Sequence, residues 1–352
     1  MQNEQIIQEA VLTHRKQEWH RLCIIMILIA ICLISLVLDI ATGPSMMNPK
    51  EVMNALLAIF FGTEVEQYHH IIIYDIRLPQ ALMAIVVGAA LGAGGAEIQT
   101  LLNNPMASPY TLGLAAASGL GASLVIAFGT LGLPLMIAVP MGAFIMTMIS
   151  SGILFSFAML KNFSSSSLVL VGIALLFLFQ SLLSLVQYLS SPEISQQILF
   201  WLFGSLAKAQ WANLAIVFVT TTICMILLFK DSWALTALRL GEERAKSMGI
   251  NLSAVRFKAL VLVSIMTATA ISFVGVIGFI GLVAPHIARM IVGEDQRFFL
   301  PMASLTGAAF LSIASVLSKV IVPGALFPVG IVTSFIGVPF FFWIILTRKN
   351  RC

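Results

Sequence analysis

The chain has 352 residues, of which 59% are hydrophobic and only 10% charged, with a mean hydropathy of +1.02. A soluble domain carries about 25% charged residues, so composition excludes a water-exposed globule. The net charge of +4 does not indicate nucleic acid, because the basic residues lie in short loops and not along one stripe or tail.

What remains is an all-α polytopic membrane protein, whose apolar runs of about 20 residues match the ~30 Å hydrocarbon core of a bilayer. The first segment, MQNEQIIQEAVLTHRKQEWH, is polar and basic at its end. It reads as a cytoplasmic head before a retained first span, not as a cleaved signal. Apolar spans follow near 22–40, 80–100, 110–128, 132–158, 168–188, 211–229, 256–276, 278–292, 299–320 and 326–346. The run 256–292 would measure roughly 55 Å as one helix, too long for a single crossing. Gly275, Gly278, Gly281 and Pro285 offer places to break it.

Charge supports the break. With ten spans and the N-terminus inside, 15 basic residues fall on the cytoplasmic side and 4 outside, namely Lys50, Arg77, Lys208 and Lys319. That is a strong positive-inside bias; a single span over 256–292 would send Arg289, Arg297 and the RKNR tail outward. The expected organisation is therefore a cytoplasmic segment 1–20, a ten-helix transmembrane unit 21–347 with a cytoplasmic loop at 230–255, and a cytoplasmic tail 348–352. Within the spans, VVGAALGAGGA (86–96) and GLAAASGLGAS (113–123) are rich in small residues, which let packed helices approach closely. Cys23, Cys32, Cys224 and Cys352 show no metal-ligand spacing and read as small apolar packers.

One stretch stands apart from this apolar background. LRLGEERAKSMGINLSAVRFK (238–258) holds seven of the 34 charged residues. Gly241 and Gly249 bracket about two turns of helix, with Arg239–Glu243 and Glu242–Lys246 spaced i,i+4. So short a helix is marginal alone in water and needs a surface to dock on. Asn251 or Ser253 offers an N-cap for the following span. Glu97 lies near the inner end of the second span; an acid within a span is a functional expectation by default, although a place near the interface keeps it hydrated.

No metal site is expected. His286 has no Cys, Asp or Glu at ligand spacing, and the adjacent His69 and His70 cannot form an i,i+4 pair. No Gly-Lys dipeptide occurs, so the loop G-x-x-x-x-G-K-[ST] is absent and this chain does not hold ATP that way. Neither H-E-x-x-H nor G-x-S-x-G is present, which leaves an intramembrane enzyme without support. A proton-coupled secondary carrier working through Glu97 is the competing transport reading.

Four ordered segments resemble the iron-siderophore, haem and vitamin B12 permease family of ABC importers. IRLPQALMAIVVGAALGAGGAEIQTLLNNPMASPYTLG (76–113) resembles its RLPR, VGAALA and NPLA signature, and LRLGEERAKSMGI (238–250) its coupling segment. GFIGLVAPHIARMIVGEDQR (278–297) is similar to GFIGLVxPHIxRxxxGxDHR, and LFPVGIVTSFIGVPFFFWIIL (326–346) to the last span. The likeness runs from about residue 20 to the C-terminus. It implies a type II ABC importer permease with ten transmembrane helices in a bacterial cytoplasmic membrane. Two copies, or this chain and a paralogue, would form the pathway on separate ATPase subunits that hold ATP and Mg. No cofactor is implied on this chain.

The resemblance also assigns residues. Gly241, Glu242 and Gly249 frame the coupling helix, and Leu240, Ala245 and Met248 supply apolar anchors for a cleft on the ATPase. Arg77, Gln80 and Lys319 match basic positions that dock a substrate-binding protein; Gln80 lacks the charge, and Lys319 lacks the bidentate fork of arginine. Asn104 and Met106, with Ser165 and Ser166, match the cytoplasmic gate. SPYTLG leans toward siderophores as cargo, with haem and vitamin B12 as the family alternatives.

Overall fold

Length and hydropathy dictate long helices, and the computed structural model describes residues 2–43, 52–54, 67–130, 132–160, 165–321 and 327–348. Helix α1 (Gln2–Ala41) carries the first apolar span but starts far ahead of it, because no Gly or Pro interrupts the polar head. The expected boundary at residue 20 therefore falls inside a continuous helix. A turn at Gln67–His70 and a π-helical stretch at Ile71–Arg77 lead into α2 (Leu78–Leu101). Pro79 cannot donate to the turn before it, and the widened turn accommodates its ring.

Helices α3 (Leu114–Phe128), α4 (Leu135–Leu160) and α5 (Ser165–Leu189) follow, and then α6 (Pro192–Leu202), which the hydropathy reading did not contain. Its signal is local: Ser191 caps it, accepting from the Ile194 amide at 3.4 Å, with Pro192 at the first position and Glu193 in the first turn. Ser191 also holds the Glu193 carboxyl below its usual range through a hydrogen bond. Helix α7 (Trp211–Lys230) is followed by two short helices, α8 (Ser232–Arg239) and α9 (Glu242–Ser247), in place of the single short helix expected. The chain closes with α10 (Leu252–Val274), α11 (Ile280–Val292), α12 (Gln296–Val320) and α13 (Val329–Arg348).

Among the described residues, seven helices are long and apolar enough to cross a membrane, and α3, α11 and α13 are shorter apolar helices. Together they account for the ten expected spans. The break in 256–292 falls at residues 275–279, while Gly281 and Pro285 lie inside α11. Asn251, not Ser253, caps α10, accepting from the Ala254 amide at 3.1 Å.

Helix α2 sits at the centre, packed on α12, α11, α10 and α7. Its small residues make this possible: a Cβ on Gly88 would lie 2.3 Å from the Gly307 carbonyl oxygen, and one on Gly95 only 1.9 Å from that of Gly281. Helices α4, α5 and α7 are peripheral and expose large apolar side chains such as Ile149, Phe177 and Phe218, as lipid-facing helices do. Buried polar contacts lock the bundle. Ser151 meets Ser264 at 2.7 Å between α4 and α10, and Ser312 meets Ser35 at 2.7 Å between α12 and α1.

Candidate functional site

The basic end of the bundle, where α8 and α9 lie, is the first candidate. Gly241 and Gly249, at φ of 108° and 78°, adopt left-handed backbone that only glycine takes readily, so the chain turns sharply on either side of α9. The break after Arg239 overturns the expected Arg239–Glu243 pair: Arg239 instead bonds Glu294 and donates to Asn103 Oδ1 at 2.7 Å. Glu242 likewise turns to Arg256 at 2.7 Å, not to Lys246, and this hydrogen bond holds its carboxyl below the usual range. Lys258 pairs with Asp231 at 2.7 Å. Of the expected anchors, Leu240 and Met248 are 52% and 47% exposed, whereas Ala245 is fully buried and cannot contact a partner.

Behind this surface lies a polar node that the sequence reading missed. Glu294 sits between α11 and α12 and pairs with Arg289 at 3.3 Å as well as with Arg239. Arg289 donates to Gln99 Oε1 at 2.9 Å, and Gln296 donates to Thr100 at 2.5 Å while its amide reaches Thr236 Oγ1 at 3.0 Å. Asp295 caps α12, and Arg297 holds its carboxyl below the usual range through a hydrogen bond. The only signal in the sequence was opposite charge on loops assigned to one side. The Glu294 carboxylate is half-exposed, whereas the two arginine side chains that meet it are mostly buried.

The second candidate is a cavity of about 820 Å³ with no charged residue in its lining among the described residues. Tyr110 and Thr111 form one wall ahead of α3, Phe279 the entry to α11, Phe203 the end of α6, and Ser334 and Phe335 the face of α13. Its hydroxyls are largely satisfied at home: Thr111 donates to the Ser108 carbonyl at 2.9 Å, and Ser334 to that of Gly330 at 2.8 Å. The expected gate residues Asn104 and Met106 do not line it, although the same loop continues into its wall. Asn104 stiffens that loop by accepting from the Met106 amide at 2.9 Å. Ser166 is exposed at the start of α5; the Ser165 side chain and residues 161–164 lie outside the described residues.

At the opposite end, the expected docking residues are buried. Arg77 donates to the carbonyls of Ile40 and Ala41 at 2.9 and 3.2 Å, closing the C-terminus of α1. Gln80 donates to the Ala207 carbonyl at 3.3 Å. Lys319 is 2.9 Å from Asp39, which also accepts from Ser315. In the free chain all three side chains are thus drawn inward by acceptors on neighbouring segments. The expectation for Glu97 is corrected. It is completely buried in α2, with no hydrogen-bond partner for either carboxylate oxygen among the described residues. His70 stacks near Tyr74, which in turn lies 5.1 Å from Trp211.

Comparison with known proteins places this geometry. The profile of the FecCD transport family matches residues 24–347. The chain is 36% identical to the hemin transport system permease HmuU of Yersinia pestis over 79% of this chain and 84% of that one. It is 30% identical to the vitamin B12 import permease BtuC of Vibrio vulnificus over 97% and 98%, respectively. It is also 31% identical to the molybdate import permease MolB of Haemophilus influenzae over 88% and 90%. A solved metal-chelate type ABC transporter in an inward-facing conformation superposes with a TM-score of 0.80 at 28% identity, covering 92% of this chain and 99% of that one. A secondary carrier driven through Glu97 accounts for none of these matches. The chain belongs to the FecCD transport family, as the multi-pass transmembrane permease subunit of an ABC importer of the metal-chelate, haem and vitamin B12 type.

Proposed function

We propose that this permease carries a ferric siderophore. The observation that carries the reading is the cavity: about 820 Å³, apolar and uncharged, it suits a bulky chelate whose metal is wrapped in organic ligand. A compact oxyanion such as the molybdate named for MolB would find no cation there. Because the hydroxyls on its wall are already bonded, the passage holds cargo weakly, and selectivity falls to a substrate-binding protein.

Two copies of the chain, or the chain and a paralogue, enclose the pathway, each contributing this face. The basic end faces the cytoplasm, as the positive-inside bias requires, and both termini lie there. Helices α8 and α9 dock on the ATPase subunits, which hold ATP and Mg, through Leu240 and Met248 with Glu242 in the flanking charge pattern. Gly241 and Gly249 set the angle of α9. The loop from Asn104 and Met106, together with Ser165 and Ser166, closes the cytoplasmic side. A binding protein meets the opposite end, and Arg77, Gln80 and Lys319 reach it only by leaving the end of α1, Ala207 and Asp39.

The test is uptake into proteoliposomes holding the permease with its ATPase and binding protein. Ferric siderophores are expected to accumulate with ATP, and vitamin B12, haemin and molybdate are not. Preferential uptake of any of the latter three would overturn the cargo assignment.

A further inference from the structure

We propose that Glu294 is the positioning residue that couples α8 and α9 to the cavity, with α11 as the lever between them. This rests on the reading of α8 and α9 as the ATPase-facing element. The carboxylate of Glu294 accepts from Arg239 at the end of α8 and pairs with Arg289 on α11 at 3.3 Å. Arg239 also holds Asn103 at 2.7 Å, at the start of the loop that becomes the cavity wall at Tyr110 and Thr111. Glu294 thus joins Arg239, which holds both the surface that a partner moves and the wall loop, to Arg289 on the lever.

The lever has a defined far end. Helix α11 is 13 residues long, roughly 20 Å at 1.5 Å per residue. Gly293 releases it at one end, and the non-helical residues 275–279 release it at the other. Phe279 enters it at φ 67°, a left-handed conformation costly for an aromatic residue, and its ring lines the cavity. A Cβ on Gly337 would lie 2.5 Å from the Phe279 Cβ, so α13 is seated directly on this residue. Movement of Arg239 therefore pulls on Glu294, tilts α11 as a body and changes how Phe279 sits against α13. The coupling requires that the Arg239, Arg289 and Asn103 contacts rearrange together when a partner biases α8.

The experiment uses the whole complex in lipid nanodiscs and proteoliposomes. Glu294→Gln keeps the shape and removes the charge. It is expected to leave assembly and ATP hydrolysis intact while uptake per ATP falls about fivefold or more. Glu294→Asp, which retains the charge, is expected to recover part of that loss. Spin labels at Gly278→Cys and Phe335→Cys, on a background lacking the native cysteines, are expected to change separation on ATP trapping in the parent and to stay fixed in Glu294→Gln.

Unchanged uptake per ATP, or a label shift equal to that of the parent, overturns the proposal. So does joint loss of assembly and hydrolysis, which would make Glu294 part of the ATPase contact itself. If Glu294→Gln does not fold, Arg239→Lys provides the same test, since it keeps the charge and loses the fork spanning Glu294 and Asn103; unchanged uptake per ATP again overturns the lever. Failure of the underlying reading looks different: Leu240→Asp with Met248→Asp would then assemble and hydrolyse normally.

Discussion

Glu97 places two buried oxygens among packed helices with no donor to meet them among the described residues. A buried polar group left unsatisfied costs about 1–3 kcal/mol. Glu97→Met, apolar and similar in length, is therefore expected to stabilise the chain by about that amount, read as a raised thermal midpoint in detergent, with ATP-driven uptake unchanged. A lower midpoint or lost uptake would show that the carboxylate has a partner or a task. The acid itself was plain in the sequence, but its burial was not, because residues 90–102 around it are buried all round and no helix face is marked as exposed. The burial of Arg77 and Lys319 was hidden for a related reason. Each lies at a helix end, where a charge normally reaches water, and their acceptors Ile40 and Asp39 lie on a helix far away in sequence.

At the level of elements, hydropathy and length located the spans, because a bilayer demands long apolar helices and little else crosses it. The same criterion passed over α6, which is short and amphipathic and is specified by its cap and not by its apolarity. It also put the start of α3 too early, since residues 110–113 are apolar enough for a helix but turn through left-handed Gly113. The glycines of α2 were read as packing residues, and the structure names their partners. Gly95→Ala would place a methyl 1.9 Å from the Gly281 carbonyl oxygen, against backbone that cannot rotate away. It is expected to cost about 1–3 kcal/mol, as overpacking does. Gly152 in α4 has nothing within 4 Å of a new Cβ, so Gly152→Ala is expected to stabilise by about 0.5–1 kcal/mol through helix propensity. Thermal midpoints of the two variants, measured side by side, check the contrast; a Gly95→Ala protein melting with the parent would mean that α2 and α11 are not in close contact.

For the molecule as a whole, charge asymmetry carried the topology, since it selected ten spans over nine before any contact was known. It could not tell which charges serve a partner and which serve the fold. Glu242 and Arg239, read as helix-surface pairs, are committed to Arg256 and Glu294. Besides the exposed charges Glu243, Arg244 and Lys246, the basic end offers a partner two apolar side chains: Leu240 and Met248 stand half-exposed on either side of α9, outside the spans. Large apolar side chains in such a place are anchors for a protein surface. Replacing both with Asp introduces charges that water tolerates in the free chain but an apolar cleft does not. Leu240→Asp with Met248→Asp is expected to leave the permease monodisperse in detergent with its thermal midpoint unchanged, while the ATPase no longer co-purifies with it. Stoichiometric ATPase on the double variant would move the docking surface away from α9, and the charged helix would then be only a connector between spans.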